Sequence, residues 1–254
     1  MINIFKRINI HFLFYTLALI CAITGYFKDF IYIFLLIFFH EIGHALVASL
    51  YGWNIEKIKI LPFGGITIFK ENLNKPIKEE FIILISGSLF QIIFYIIIKS
   101  HVTRTDILEF YNYSLLMFNF IPLIPLDGGK LINLLLNKFT SFKKSHIITV
   151  YISYICIFIF LYKILFKFNL ILIIIISFIV LNILKEHKIH NLIFNKFLLE
   201  RRLYNFKFKK TKKIFGCKFE KMKRDYSHLF YTENKIYTEK EILRKKFDFE
   251  DNMW

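Results

Sequence analysis

The sequence predicts an all-α polytopic membrane protein. It has about six transmembrane helices, a small β-hairpin or loop at the membrane face, and a short cytoplasmic C-terminal tail. Three observations predict this. Of the 254 residues, 56% are hydrophobic and 19% aromatic, more apolar surface than a soluble domain of this size can hide. Several apolar stretches approach the ~20 residues that a helix needs to cross a bilayer. The net charge of +16 falls between and after those stretches, where it sets topology and meets anionic lipid. With spans present, a basic balance is assigned to these causes and not to nucleic acid.

Six apolar segments follow in order: Ile8–Ala22, Phe30–Leu50, Phe81–Ile98, Ile107–Leu126, Ile147–Phe166 and Leu170–Leu184. Lys6 and Arg7 precede the first, but no small-x-small cleavage site follows it, so it reads as a retained span and not a signal peptide. After the second, Ile55–Lys59 alternates like a strand, Pro62-Phe63-Gly64-Gly65 breaks it, and Ile66–Phe69 resumes. That pattern predicts a hairpin or re-entrant segment, which at membrane depth must lie against protein or a wet cavity. The N-terminal segment and the second and fourth connections carry eleven Lys/Arg against five in the other connections, which predicts that both termini are cytoplasmic.

Two regions are expected: a transmembrane domain over residues 1–185 and a basic cytoplasmic tail over residues 186–254. Residues 201–224 hold eleven Lys/Arg and one acidic residue, Glu220. Such a face is either simply solvated or drawn to anionic head groups. A short helix of mixed charge is expected near Thr238–Phe247. Cys21, Cys156 and Cys217 are scattered and form no Cys-x-x-Cys pair, so neither a disulfide framework nor a thiolate metal site is expected.

Chemistry concentrates in the second segment. His40-Glu41-Ile42-Gly43-His44 is a His-Glu-x-x-His motif inside a stretch, Phe30–Leu50, that otherwise lacks Lys, Arg and Asp. Helical spacing puts His40 and His44 on one face, able to share a zinc ion, with Glu41 placed to take a proton from water. Each ionisable group at that depth costs at least about 2–3 kcal/mol on insertion scales, so three together need a reason. Two histidines and a glutamate can satisfy one another in a bundle, but a metal satisfies them better. Catalytic zinc usually takes three protein ligands. The fourth segment ends in Asn119-Phe120-Ile121-Pro122-Leu123-Ile124-Pro125-Leu126-Asp127-Gly128-Gly129. Asp127 offers a suitable carboxylate there. The alternative is an Asp-Gly turn that merely caps the span.

Together, His40–His44 and Asn119–Gly129 resemble the paired signature of the site-2 protease family of intramembrane zinc metalloproteases, whose second motif reads Asn-x-x-Pro-x-x-Pro-Leu-Asp-Gly. The six-segment layout is most like the stage IV sporulation protein FB group. The resemblance implies one zinc ion held by His40, His44 and Asp127, with Glu41 as the catalytic base. It also implies that Asn119 faces the site toward substrate or oxyanion, and that Pro62–Gly65 forms a membrane-face loop. Phe63 is the side chain expected to anchor substrate there. Where the family often has Gly-Pro-x-x-Asn, this chain has Gly87-Ser88-Leu89-Phe90-Gln91, so a hydrogen bond from Gln91 into the site is the expected substitute. Residues 186–254 are too few for the nucleotide-sensing CBS pair common in this branch, and Ile214–Phe247 resembles at most a remnant.

The implied activity is hydrolysis of a peptide bond near the cytoplasmic face of the membrane. The implied partner is a protein with an N-terminal pro-segment or membrane anchor, in this branch a sporulation sigma-factor precursor in the mother-cell or forespore outer membrane. Inhibitory membrane partners are a further implied class. A related protease acting on anti-sigma factors or remnant signal peptides would show the same motifs. A metal-binding transporter is the rival from another class, but its polar residues should string along a path through several spans and not converge.

Overall fold

The computed structural model describes residues 8–10, 12–61, 64–70, 73–101, 105–166, 170–232 and 235–248. Phe63 lies outside these residues. The chain separates into two units, one of residues 1–71 and 78–121, the other of residues 72–77 and 122–254.

The first unit begins with strand β1 (Ile8–Ile10), helix α1 (Phe12–Ile23) and helix α2 (Phe27–Leu50). Strand β1 corrects the expectation of a span from Ile8. Its three residues pair in parallel with strand β2 (Ile55–Leu61), giving the β2 edge a partner. Helix α2 ends where Gly52 takes φ +71°, its N–H donating to the Ser49 carbonyl while Tyr51 N–H reaches Val47. A side chain would strain that left-handed cap, hence glycine. Strand β3 (Gly64–Phe69) pairs antiparallel with β2, in the sheet order β1-β2-β3. The expected hairpin is thus present. A register irregularity between Ile55 and Lys57 resets the alternation, so that Ile55, Ile58 and Ile60 are all buried. Ile55 and Ile58 pack with Ala45, and Ile60 with Ile37, which lays the sheet on α2.

Helix α3 (Ile77–Lys99) and helix α4 (Thr105–Phe120) complete this unit. The fourth segment was expected to run to Leu126, but α4 stops at Phe120. Pro122 and Pro125 lack the N–H groups that a continuing helix would need.

In the second unit, Asp127 opens a separate 13-residue helix, α5 (Asp127–Phe139), which the sequence reading did not foresee. Helix α6 (Phe142–Phe166) buries Ser145, Thr149 and Ser153, a small polar ridge at four-residue spacing. Asn133 of α5 donates to Thr149 across it at 3.2 Å. Helix α7 (Leu170–Leu203) runs unbroken past Lys185. Beyond it, β4 (Lys210–Phe215), β5 (Tyr226–Tyr231) and β6 (Ile236–Thr238) form a second sheet, followed by helix α8 (Glu239–Asp248). This sheet was not anticipated, whereas α8 falls where the mixed-charge helix was expected. One sheet face closes a core of Phe194, Phe197, Ile214, Phe230, Ile242 and Leu243, with Phe142 stacked on Phe197 at 4.1 Å.

Among the described residues, three helices are long and apolar enough to cross a membrane: Phe27–Leu50, Ile77–Lys99 and Phe142–Tyr162. Their outward residues, such as Ile93, Ile96, Ile97, Ile155 and Phe158, are exposed hydrophobics. In lipid that exposure carries no penalty, and the helices keep their backbone polar groups internally bonded. These features mark an integral membrane protein.

Candidate metal centre

Helix α2 is apolar nearly all round, so packing, not amphipathicity, selects its inward face. That face carries Ile37, His40, Glu41, His44, Ala45 and Ala48, the i, i+3, i+4 stripe of one helix side. His40, Glu41 and His44 are 2%, 5% and 4% exposed.

Both imidazoles are oriented by their rear nitrogens. His44 Nδ1 lies 2.7 Å from the Ile83 carbonyl, an acceptor only, so Nδ1 carries the proton. His40 Nδ1 lies 3.0 Å from Gln91 Oε1. The Gln91 amide is fixed by its other end, where Nε2 donates to Asn112 O at 3.1 Å and to Asn112 Oδ1 at 3.0 Å. His40 Nδ1 is therefore also the protonated nitrogen. Each Nε2 then presents a lone pair, and the two stand 3.1 Å apart.

Two buried lone pairs facing each other repel unless a cation lies between them. Two nitrogens bound to one zinc ion at about 2.0–2.1 Å stand roughly 3.0–3.4 Å apart, so this pair fits the group that its motif implies. Closeness is secured by glycine. A Cβ on Gly87 would come within 2.4 Å of His44 Nε2 and 2.9 Å of His40 Nε2. On α2, a Cβ at Gly43 would meet Ser86 O at 2.7 Å and Phe90 Cβ at 2.8 Å, so small residues let α2 and α3 approach.

Glu41 is held by the hairpin. Thr67 Oγ1 donates to Glu41 Oε2 at 2.6 Å, and a Cβ on Gly65 would overlap Glu41 Cγ, Cδ and Oε1. Strand β3 therefore brings a bare backbone and one hydroxyl against the carboxylate. Asn119, at the end of α4, places Nδ2 3.4 Å from His40 Nε2. Gln91 departs from the expectation of a hydrogen bond into the substrate space. It is fully buried behind His40, and both hydrogens of its amide go to Asn112.

Three contributors were missed: Thr67, Asn112 and the Ile83 carbonyl. Thr67 is the lone polar side chain in Gly64–Phe69, and Asn112 lies two helical turns before Asn119, on the same face. Both signals were available. A backbone carbonyl leaves none.

In the second unit, Asp127 sits in the first turn of α5, where the helix dipole favours a carboxylate. Lys130 Nζ donates to Asp127 Oδ1 at 3.2 Å. The bend before the helix is tight. A Cβ on Gly129 would meet the Leu123 carbonyl at 2.6 Å, and Ile124 N–H donates to Ser153 Oγ at 3.1 Å. The second motif's Pro and Gly positions thus fix where Asp127 stands in its own unit.

Fold and site together define a membrane protein with a buried His-Glu-x-x-His metal-binding pair backed by a β-hairpin. Residues 29–106 match the model of peptidase family M50. The chain is 35% identical over 152 residues to the stage IV sporulation protein FB of Bacillus subtilis (57% of this chain, 53% of that protein). It is 35% identical over 126 residues to a zinc metalloprotease of Methanocaldococcus jannaschii, covering 46% of this chain and 36% of that one. Among solved structures, the site-2 protease from Methanocaldococcus jannaschii superposes with a TM-score of 0.57 at 28% identity, over 70% of this chain and 89% of that chain. The resemblance to the site-2 protease family stands on sequence and structure alike. The chain spans about half the length of the first of these curated relatives and about a third of the second.

Proposed function

We propose that this chain is an intramembrane zinc endopeptidase of the site-2 protease type, with His40, His44 and Asp127 as metal ligands and Glu41 as general base. The observation that carries the reading is the convergence of two buried imidazole lone pairs at 3.1 Å beside a hydrogen-bonded carboxylate. Two imidazole nitrogens and one carboxylate oxygen make a donor set compatible with zinc. Zinc, when bound, supplies a Lewis acid for the peptide carbonyl and lowers the pKa of water toward about 7.

The chain's own groups do the rest. Glu41 takes the proton of the attacking water and returns it to the leaving amine. The Thr67 hydroxyl holds Oε2 of Glu41 and so aims the carboxylate. The Asn119 amide is assigned to the substrate or its oxyanion. Strand β3 ends the sheet order among the described residues, which supports an extended substrate adding to its edge next to Thr67. Phe63 remains the proposed anchor for that substrate.

The reading extends to six spans with both termini cytoplasmic, on the strength of the basic-residue asymmetry. It extends also to a sporulation sigma-factor precursor as substrate, which the similarity to the stage IV sporulation protein FB supports. Anti-sigma factors and remnant signal peptides are the alternative substrates. Convergence of the polar groups on one place disfavours a transporter. The test is co-expression of a pro-sigma precursor with wild type, Glu41→Gln and Asp127→Ala, with zinc assayed on each purified protein. Cleavage by wild type alone, zinc retained in Glu41→Gln and weakened in Asp127→Ala, is the expected pattern. Cleavage by Glu41→Gln refutes the mechanism.

A further inference from the structure

Residues 74–77 join the hairpin to α3, and the C-terminal region grips them at several points. Asn74 is 3% exposed, and its whole amide is engaged. Nδ2 donates to the Phe197 carbonyl and to Glu200 Oε2, both at 3.0 Å, while Oδ1 accepts from Arg201 Nε at 2.6 Å. Arg201 is itself locked, with Nη1 on Tyr226 O and Glu239 Oε1 and Nη2 on Lys223 O. One residue on, the Lys75 carbonyl accepts from Arg224 Nη2 at 2.8 Å. At the start of α3, the Ile77 N–H donates to the Asp225 carboxylate at 3.3 Å. Asp225 adopts φ +58° to do so. A residue more than a hundred positions away in the chain thus caps this helix, satisfying a donor that the helix cannot satisfy itself.

The gripped segment has a particular place in the chain. Five residues before Asn74, β3 ends, the strand whose Thr67 holds Glu41. Six residues after Ile77, α3 reaches Ile83, whose carbonyl orients His44, and then Gln91, which orients His40. A merely solvated tail would have no reason to sink a fully bonded asparagine, a buried arginine and a cap into this one joint. We infer that the C-terminal region is a clamp on residues 74–77 and that Asn74 and Asp225 are positioning residues, holding in register the two elements that aim Glu41 and the histidines. The inference rests on the proposed protease reading for its consequence, though not for the clamp itself.

Asp225 offers a clean perturbation, because Asn keeps both the cap and the tolerance for positive φ, whereas Gly keeps only the φ. The experiment is hydrogen exchange on the full-length chain in detergent, with zinc content and cleavage of the precursor measured in parallel, for wild type, Asp225→Asn, Asp225→Gly and Asn74→Ala. Expected are about five-fold faster exchange over residues 64–80 in Asp225→Gly and Asn74→Ala, zinc retained, a lower maximal cleavage rate, and wild-type behaviour in Asp225→Asn. Faster exchange confined to the tail, or loss of function equal in Asp225→Asn and Asp225→Gly, overturns the clamp. Faster exchange over residues 64–80 with an unchanged cleavage rate overturns the positioning role. If wild type itself does not cleave, the exchange pattern still decides the clamp, and it is the protease reading that fails.

Discussion

Replacing Gly87 by alanine tests the metal centre at its tightest point. The new Cβ would lie 2.4 Å from His44 Cε1 and Nε2 and 2.9 Å from His40 Nε2, where ordinary contact begins at 3.4 Å. Something must therefore move by about 1 Å. The His44 ring cannot turn away without breaking its 2.7 Å bond to Ile83 O, and a retreat of α3 would break the 3.1 Å bond that Ser86 Oγ donates to the Gly43 carbonyl. Displacement of a reacting group by about 1 Å costs on the order of 100-fold in rate, and spreading the two nitrogens weakens the site for metal. Gly87→Ala should therefore bind zinc substoichiometrically after purification and lose at least about 100-fold in cleavage. Gly43→Ala is the control, since its Cβ meets backbone and Phe90 and not the imidazoles. It should lower thermal stability with zinc affinity less affected. Zinc by atomic absorption, a competitive chelator titration and a cleavage time course measure all three effects. A Gly87→Ala protein with full zinc and wild-type cleavage would refute the claim that α3 sets the distance between the two histidines.

Two further outcomes are expected. Thr67→Val removes the hydroxyl on Glu41 Oε2 and should slow cleavage by about 10–100-fold, since hydrogen bonds to charged groups contribute about 1.5–3 kcal/mol; zinc should be retained and Thr67→Ser should restore the rate. In the tail, His228 Nε2 accepts the Lys223 N–H at 3.1 Å, and burial lowers the His228 pKa from 6.5, opposed by Glu239. Its unfolded form binds the proton more readily, so the stability this group contributes is full above about pH 6.5 and falls with pH, by at most about 1.4 kcal/mol per unit, until the folded pKa is passed. Chemical denaturation of the tail followed from pH 7.5 to 5 should show that loss, and His228→Gln should flatten it.

The helices were legible because lipid, like a core, selects for long apolar runs, and the sequence supplies them. What misled was length. Ile8–Ile10 leads into an apolar run, with only Asn9 and His11 interrupting it, yet it becomes a strand because the edge of β2 lies open to it, a partner more than forty residues away that no local pattern reveals. The fourth apolar run reads on to Leu126, but in the fold Pro122 and Pro125 follow the end of α4 at Phe120, and Asp127 opens the separate helix α5. The second sheet was hidden for a different reason. Its first strand, β4, is half lysine, and in β4 and β5 only alternate positions such as Ile214, His228 and Phe230 are buried. A six-residue alternation inside a basic tail looks like solvated chain.

At the site, His40, Glu41 and His44 were legible from their spacing and Asp127 from the resemblance to the site-2 protease family, and the residues that aim them were not. The difference is physical. A zinc ligand or a general base must be one of a few side-chain types, so its identity is written in the chain. An orienting partner needs only an acceptor or donor at the right place, and here the acceptors are a backbone carbonyl at Ile83 and an amide at Gln91, with Asn112 behind it. Gln91 shows the consequence. Read from sequence, its amide was expected to donate into the site; in the fold its oxygen meets a ring nitrogen of the site and its hydrogens go to a further helix. That arrangement ties α2, α3 and α4 together through His40, so the geometry of one nitrogen depends on the packing of three helices. The same logic reaches the hairpin through Thr67 and Gly65, since the carboxylate of Glu41 is only as well placed as β3 is. A site assembled this way needs its connecting segment held still, which is why the grip on residues 74–77 carries more weight than its distance in sequence from either motif would suggest.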